Sequence, residues 1–431
     1  MNFKTFSFDP AVAAGIAAAG YTTPTPIQVK AIPEILKGSD VVGLAQTGTG
    51  KTAAFVLPIL NRLVNGRRGR IGALIIAPTR ELAEQIHTAI ETLGRRTRLR
   101  SVAVYGGVGI NQQIQALKRA DIVVACPGRL LDHIGRKTVD LSGLEILVLD
   151  EADQMFDMGF FPDIRRILTH VPVKSRQTLL FSATMPKEIR RLADDILHAP
   201  LTVQIGCTAP AKTVSHAMFP VAKHLKTALL LKLLGHTATG PVLVFTRTKF
   251  RAMSLGAKLN RAGFRTTSLQ GNLSQGRRQA ALDGFRSGEF QILVATDIAA
   301  RGIDVSNVSH VINYDIPATA DAYIHRIGRT GRAECSGDAF TLVTDEDSQM
   351  VRAINAAVGT SVERRILDDF NYGSPCSVSP AGAVKDRSKR PPTPKRQTTP
   401  APKSRGRANK GAFAWLSPRK TKRFGTASKA Y

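Results

Sequence analysis

The sequence predicts an α/β protein with two tandem domains, each built on a mostly parallel sheet, followed by a basic tail. Short, continuous apolar runs recur through the first three quarters of the chain, and helix-length stretches separate them. Continuous hydrophobicity is typical of strands buried on both faces, as in parallel sheets. Strand alternating with helix places helices on both faces of such a sheet. A length of 431 residues also exceeds what one compact domain usually needs.

The apolar runs fall into two sets, which predict the two sheets. The first set lies at 41–44, 73–76, 146–149 and 179–181, and the second at 242–245, 292–294 and 311–312. A stretch of Gly, Pro and small polar residues at 206–215 separates the sets, as a linker would. We therefore expect an N-terminal region at 1–29, a first domain at 30–207, a linker at 208–215 and a second domain at 216–370.

The charge of the chain favours a polyanionic partner. The net charge is +27, and residues 371–431 hold 15 Lys and Arg against one acid, together with eight of the 23 prolines. Such an excess favours nucleic acid, although a merely solubilising surface is the alternative. High charge with few apolar residues predicts that the 371–431 tail is disordered.

The cysteines and the apolar runs exclude several protein classes. The four cysteines are scattered without a Cys-x-x-Cys pair, which argues against a structural zinc site and a disulfide framework. The first ten residues lack a signal-peptide pattern, and no run approaches the ~20 apolar residues that span a bilayer. We therefore expect a cytoplasmic protein with no membrane partner.

A glycine-rich segment between a predicted strand and a predicted helix has the context of a phosphate-binding loop. Its glycines allow backbone N–H groups to approach phosphates, and the helix N-terminus adds a favourable dipole. Lys51 would reach the β- and γ-phosphates, and the hydroxyl of Thr52 would bind Mg²⁺. The alternative is a chance glycine-rich turn. The segment consists of Ala45, Gln46, Thr47, Gly48, Thr49, Gly50, Lys51 and Thr52, with Ala45 in place of the usual first glycine.

Carboxylates follow the predicted strand at 146–149. Because open α/β sheets bind ligands at the carboxyl ends of their strands, Asp150 is a candidate to hold Mg²⁺ and Glu151 to orient and deprotonate an attacking water. Acidic clusters are otherwise solvated turns. The predicted strand directly before this acidic cluster, together with the phosphate-binding loop upstream, favours the catalytic interpretation.

Residues 150–153 read Asp-Glu-Ala-Asp, and the chain resembles the DEAD-box helicases over about residues 3–370. The stretch 20–28 resembles the Q motif of the family, 182–184 resembles the Ser-Ala-Thr motif, and 325–332 matches the last motif residue for residue. The stretch 244–249 and the short linker are most similar to the bacterial RhlE-like group. The resemblance implies RecA-like domains that hydrolyse ATP with Mg²⁺ in the cleft between them and separate short RNA duplexes.

The resemblance also implies roles for further residues. Gln28 would read the adenine edge, with Tyr21 and the isolated upstream Phe3 as the aromatic residues of this site. Arg329 and Arg332 would be arginine fingers that stabilise charge on the γ-phosphoryl group. Asp304 would bind the ribose hydroxyls. The residues expected to couple the ATP state to RNA binding and to link the domains are Asp153, Ser182, Thr184 and His325.

RNA held by its sugar–phosphate backbone needs donors and close backbone approach rather than base readers. The residues that resemble the RNA contacts of the family, and that we therefore expect to bind RNA, are Thr79, Arg80, Gly106, Gly107, Pro127, Gly128, Arg129, Thr246, Arg247, Thr296 and Arg301. Cys126 stands where the family commonly has Thr, and Gln270 where many members have His, which puts fine RNA affinity in question. The basic tail is hypothesised to tether RNA through salt-dependent contacts, with a solubilising role as the alternative.

Three functions stay open at this point. The favoured one is an enzyme that couples RNA-stimulated ATP hydrolysis to local unwinding. The second is an ATP-gated clamp that holds RNA for partner proteins, and the third is a helicase acting on DNA. Ribosome-assembly or RNA-decay proteins are compatible partners.

Overall fold

The computed structural model describes residues 2–46, 48–173, 176–205, 214–236, 240–300, 308–331 and 337–373. Within these ranges the chain forms two parallel sheets, each of seven strands, with helices packed against them. No helix in the described ranges is both long and apolar enough to cross a membrane.

The first sheet has the order β3-β4-β2-β5-β6-β1-β7, and every pairing in it is parallel. Its strands at Ala73–Ile76, Ile146–Leu149 and Gln177–Ser182 are buried along their whole length because helices cover both faces. The strands are β1 (Val41–Leu44), β2 (Ala73–Ile76), β3 (Ser101–Val104), β4 (Ile122–Ala125), β5 (Ile146–Leu149), β6 (Gln177–Ser182) and β7 (Leu201–Gln204).

The second sheet has the order β10-β11-β9-β12-β13-β8-β14 and is also parallel throughout. The two sheets therefore repeat one architecture, as the sequence predicts. The strands are β8 (Val214–Pro220), β9 (Val242–Thr246), β10 (Thr266–Leu269), β11 (Ile292–Thr296), β12 (His310–Asn313), β13 (Gly337–Val343) and β14 (Glu363–Arg364).

Helices follow the strands in turn, and several begin at a threonine that caps them. Thr79 and Thr248 each accept a hydrogen bond at Oγ1 from a backbone N–H in the first turn, which satisfies a group the helix cannot. The helices of the first half are α1 (Pro10–Ala18), α2 (Pro26–Leu36), α3 (Lys51–Leu63), α4 (Arg80–Leu93), α5 (Ile110–Leu117), α6 (Pro127–Gly135), α7 (Ala152–Asp157), α8 (Phe161–Leu168) and α9 (Lys187–Ile196). Those of the second half are α10 (Lys226–His236), α11 (Lys249–Arg261), α12 (Gln275–Arg286), α13 (Asp297–Ala300), α14 (Ala320–Ile327) and α15 (Ser348–Val358). Short 3-10 helices lie at Phe3–Phe6 and Asp345–Asp347.

Short parts of the predicted linker and tail lie within the described residues. Val214 and Ser215, the last two residues of the predicted linker, belong to β8 and pair with β13. The rest of that linker lies outside the described residues. The first residues of the predicted tail, 371–373, are described, and Tyr372 packs on the core of the second domain, where its hydroxyl accepts a hydrogen bond from Leu367 N at 3.0 Å. Residues 374–431 lie outside the described residues.

Candidate active site

The phosphate loop lies between β1 and α3, where the sequence places it. Gly48 and Gly50 adopt φ of 86° and 94°, a left-handed conformation that favours glycine. A Cβ at Gly50 would lie 2.5 Å from Nε2 of Gln28, so the loop also needs glycine for its close packing. Ala45, which replaces the usual first glycine, is not in the left-handed region and is buried, so its methyl group is accommodated.

Lys51 is buried at the start of α3, where Nζ donates a hydrogen bond to the Ala45 carbonyl at 2.7 Å. Thr49 Oγ1 donates to the Gln46 carbonyl at 2.7 Å, which closes the turn. Thr52 follows on the same helix and lines the adjoining cavity. Thr47 lies outside the described residues.

Two buried carboxylates follow β5 and face the phosphate loop. Asp150 and Glu151 are only 2% and 3% exposed. Burial raises the pKa of each, and the rise at Glu151 is enlarged by repulsion from Asp150. The charge of Lys51 opposes the rise in the pKa of both carboxylates. The two carboxylates therefore occupy a site that favours the arrival of positive charge.

Glu151 has a strained backbone. Its φ of 53° and ψ of 51° place it in the left-handed region at the start of α7, which costs a non-glycine residue on the order of 1 kcal/mol or more. Such strain collects at functional positions, where the surrounding structure enforces it. The unusual backbone geometry therefore supports a functional role for this carboxylate.

The second domain contributes Arg329 to the same place. Its positive charge lowers the pKa of Glu151, which opposes the effect of burial, and Arg329 is itself 5% exposed. Arg329 follows α14, so the two halves of the chain meet at this point. Arg332 and Asp304, the other residues predicted for this part of the site, lie outside the described residues.

Asp153 links three segments. Its Oδ2 accepts hydrogen bonds from the backbone N of Ala183 at 3.1 Å and of Thr184 at 3.0 Å, and its own N donates to Ser182 Oγ at 3.2 Å. His325 Nε2 of the second domain lies 3.9 Å from the same Oδ2. The four residues predicted to couple the domains are thus brought together.

A cavity of about 530 Å³ adjoins the phosphate loop, a size that suits a nucleotide. Tyr21, Thr25, Gln28 and both carboxylates line it. Gln28 is tied to its neighbours, since Oε1 accepts from Thr25 N at 2.9 Å and Nε2 donates to the Gly50 carbonyl at 3.0 Å. One amide N–H and one lone pair remain for a ligand.

Phe3 does not line this cavity. Its ring is 4% exposed in the core of the first domain and lies 6.0 Å from the ring of Tyr21. An apolar ring gains free energy from burial, and Phe3 packs beside Tyr21 in the core of the first domain. The predicted role of Phe3 at the nucleotide stays a prediction.

The predicted RNA contacts of the first domain cluster at the carboxyl edge of its sheet. Thr79 caps α4 and is buried, and a Cβ at Gly107 would clash with the Arg80 guanidinium, so Arg80 lies directly against the Gly106–Gly107 turn. Arg129 Nη1 donates to the Val108 carbonyl at 3.2 Å. Arg129 therefore braces the glycine turn, a role that the sequence did not reveal.

A buried network holds this edge in place. Gln113 Oε1 lies 3.0 Å from Arg129 Nη1 and 3.1 Å from His133 Nε2, and Gln113 Nε2 donates to the Tyr105 carbonyl at 2.9 Å. His133 Nδ1 lies 2.8 Å from Thr138 Oγ1. Burial and the charge of Arg129 lower the pKa of His133, so the ring is neutral near pH 7. Pro127 and Gly128 lie in the first turn of the same helix, α6, whose N-cap is Cys126.

In the second domain, the predicted RNA contacts also lie at the carboxyl ends of strands. Thr246 ends β9 and Thr296 ends β11, and these strands are neighbours in the sheet. Arg247 follows β9, is exposed, and is held by a hydrogen bond from its backbone N to Asp315 Oδ2 at 2.9 Å. Arg301 lies outside the described residues.

An ion pair between the domains was also missed by the sequence analysis. Arg278 Nε on α12 donates to Glu81 Oε1 on α4 at 2.6 Å, and both side chains are almost fully buried. The two residues are 197 positions apart, so sequence spacing gives no signal of the contact.

Comparison with known proteins agrees with this geometry. The family model of the DEAD/DEAH box helicases matches residues 25–192, and that of the helicase conserved C-terminal domain matches residues 225–334. The DEAD-box ATP-dependent RNA helicase RhpA of Helicobacter pylori is 42% identical over 364 residues, which cover 84% of this chain and 73% of the relative. CshA of Geobacillus kaustophilus is 43% identical over 367 residues, covering 84% and 78%.

Solved structures show the same fold. Dbp5 of Saccharomyces cerevisiae bound to RNA and ADP BeF3 superposes with a TM-score of 0.78 at 33% identity, covering 85% of this chain and 96% of that one. A DEAD box protein of Methanococcus jannaschii is 38% identical with a TM-score of 0.52, covering 85% and 99%. Both domains are therefore RecA-like, as the sequence resemblance implies.

Proposed function

The chain belongs to the DEAD-box family of ATP-dependent RNA helicases, and we propose that it separates short RNA duplexes locally by closing its two domains around ATP and RNA. The observation that carries this proposal is the meeting of Lys51, Asp150 and Glu151 of one domain with Arg329 of the other. Each domain alone holds only part of this set. Hydrolysis thus requires closure, and closure is favoured by both ligands.

The residues present fit ATP and Mg²⁺. The glycine-lined cradle excludes side chains where phosphates would lie, and Asp150 and Thr52 offer the oxygen ligands that Mg²⁺ prefers. In the described part of the chain, no group of three or more His, Cys, Asp or Glu side chains could hold an ion. This agrees with a Mg²⁺ ion that is bound through one or two protein oxygens together with phosphates. When bound, the ion would neutralise charge on the phosphate oxygens.

We assign the chemical roles as follows. Glu151 orients the attacking water and accepts its proton on the carboxylate, for which a pKa raised by burial is suited. Lys51 moves from the Ala45 carbonyl to phosphate oxygens, and Arg329 stabilises the charge that develops on the transferred phosphoryl group. Tyr21 and Gln28 hold the adenine. Arg332 as a second finger and Asp304 on the ribose complete the proposal from the sequence.

We assign the backbone-binding track to the carboxyl edges of both sheets. Arg80 and the Gly106–Gly107 turn belong to the first domain, and Thr246, Arg247 and Thr296 to the second. If the closed track bends one strand, as the resemblance to the family implies, it does not admit a regular duplex and the partner strand is released. We therefore expect local separation rather than travel along RNA.

The test of this proposal is unwinding of RNA duplexes of increasing length, with DNA duplexes of the same sequences beside them. We expect efficiency to fall as duplexes lengthen and RNA to be the better substrate. Undiminished unwinding of long duplexes would contradict local separation, and equal action on DNA would favour the DNA helicase. ATP-dependent RNA retention with no unwinding would favour the clamp.

Several sequence predictions stay predictions. They are the domain boundaries 1–29, 30–207, 208–215 and 216–370, the cytoplasmic location, the RhlE-like subgroup, and partners from ribosome assembly or RNA decay. We also propose that the tail from residue 374 onward tethers RNA by its positive charge. Deleting residues 374–431 tests the tether, because the dependence of RNA affinity on salt becomes shallower if the tail contributes contacts and stays unchanged if it does not.

A further inference from the structure

Two large apolar side chains are exposed at the start of α11, beside the predicted RNA contacts of the second domain. Phe250 is 66% exposed and Met253 is 47% exposed. They are three residues apart in a helix, so their side chains share one face. Phe250 follows Thr246 and Arg247 by only four and three residues, which places it next to the carboxyl edge of the sheet.

The surroundings of the Phe250 ring are cationic. Lys249 Nζ lies 5.3 Å from the ring centroid and donates a hydrogen bond to Asn272 Oδ1 at 3.0 Å, in the loop that follows β10. Arg251 is paired with Asp315 through a 2.6 Å contact. Among the described residues, no acidic side chain forms an ion pair with the side chain of Lys249 or of the exposed Arg247, and Asp315 bonds only the Arg247 backbone N. The face therefore carries positive charge beside an aromatic ring.

This combination matches the chemistry of single-stranded nucleic acid. An exposed aromatic ring stacks on a base, whichever base it is, while neighbouring cations hold the phosphates on either side. A protein surface of opposite charge would also fit the cations, but the adjacent track favours RNA. The exposed part of the Phe250 ring leaves apolar surface in water, which stacking would cover.

We propose that Phe250, with Lys249 and Met253 beside it, forms a base-stacking subsite for a nucleotide of single-stranded RNA that extends beyond the backbone-binding track. This inference rests on the RNA binding in the proposed function and adds a contact to a base, which the track itself does not make. The subsite engages only RNA long enough to reach α11. It lengthens the bound segment of RNA without reading its sequence.

Binding of oligouridylates, lengthened one nucleotide at a time, tests the subsite by fluorescence anisotropy with a non-hydrolysable ATP analogue. Alanine substitution of a stacking aromatic costs about 1–3 kcal/mol per base, so Phe250→Ala is expected to weaken the longer oligomers about five- to 150-fold. The shortest bound oligomers keep the wild-type affinity. Phe250→Tyr retains the increase in affinity with oligomer length, whereas Phe250→Leu loses this increase although leucine is also apolar.

Salt titration separates stacking from charge. Phe250→Ala leaves the slope of log affinity against log salt unchanged, whereas Lys249→Gln lowers it by about 0.7, the value for one phosphate contact of a single strand. Ile366→Ala is the matched control, because Ile366 is 67% exposed and lies beyond β14, at the far side of the sheet. It should bind every oligomer as the wild type does.

Equal affinity of Phe250→Ala and wild type at every length would overturn the subsite, and so would equal affinity of the Tyr and Leu variants. Failure of the wild type to bind any oligomer would instead contradict the proposed function. Because Phe250 is exposed, thermal melting of the variants should match that of the wild type, which confirms that the fold is intact.

Discussion

Replacing Arg278 by methionine tests the closed arrangement through the ion pair between the domains. Arg278 and Glu81 are 2.6 Å apart, and their side chains are 11% and 5% exposed. Arg278 also points at the backbone carbonyls of Gln270 and Ala299, at 3.3 and 3.5 Å. The pair exists only while the domains are together, since the two residues lie on α12 and α4. In Arg278→Met, closure buries the Glu81 carboxylate without a counter-charge.

The magnitude follows from the cost of an unpaired buried charge. Removing one partner of a buried ion pair costs about 3–5 kcal/mol. In the open form Glu81 reaches water, so the cost falls on the closed form alone. Since about 1.4 kcal/mol is tenfold in affinity, we expect RNA binding with a non-hydrolysable ATP analogue to weaken about 100-fold or more. Binding without nucleotide should change little, and by linkage RNA should tighten the binding of the analogue correspondingly less.

The assay is anisotropy titration of labelled single-stranded RNA with and without the analogue, for Arg278→Met, Glu81→Gln and the double variant. The double variant should recover much of the lost affinity, because no unpaired charge remains to be buried. Arg277→Met, an exposed arginine on the same helix, is the control. If Arg278→Met keeps the wild-type response to the analogue, or if the two single effects simply add, the pair does not stabilise the closed form.

Three further predictions concern the first domain. Gln113→Leu removes the amide that joins Arg129 and His133 of α6. The RNA concentration that gives half-maximal ATPase activity should therefore rise about tenfold, while kcat at saturating RNA is kept. Substitution of the exposed Gln115 by Leu is the control and should change neither value. Cys126→Thr adds a hydroxyl at the N-cap of α6, where no side chain caps the helix. Thermal melting should show a gain of about 1 kcal/mol in stability, and RNA affinity should rise a few-fold. Unchanged stability and affinity would refute the capping role of the added hydroxyl. Burial lowers the pKa of His133 below its ordinary 6.5, so below pH 6.5 the unfolded chain takes up a proton that the folded chain does not. The free energy of unfolding, measured by urea denaturation, should therefore fall as the pH drops below 6.5. The fall should be less steep in His133→Asn.

The central strands could be predicted from the sequence because their physical signal is local. Strands β1, β2 and β5 match the apolar runs residue for residue, since both faces are covered by helices. The edge strand β3 alternates between buried and half-buried residues, and β14 is exposed, so neither produces a continuous apolar run. Such strands are defined by their pairing partners rather than by their own composition.

The features of the candidate site likewise divide into those with a local sequence signal and those without one. The phosphate loop and the carboxylates after β5 are short motifs, so their positions followed from the sequence. Gln113 and the Arg278–Glu81 pair were missed because their roles arise from tertiary contacts between distant segments. The packing of Phe3 against Tyr21 could not be predicted, because an aromatic residue near a motif gives no indication of whether its ring is exposed or buried.

Steady-state ATP hydrolysis with and without single-stranded RNA, for the wild type and Glu151→Gln, tests whether RNA-stimulated turnover depends on the Glu151 carboxylate. The Gln substitution keeps the size of the side chain and removes the carboxylate that accepts the proton. We expect RNA to stimulate hydrolysis by the wild type, and Glu151→Gln to abolish turnover while the variant still binds RNA in the presence of ATP. Background turnover by the wild type with saturating RNA, or full activity of Glu151→Gln, would contradict this expectation.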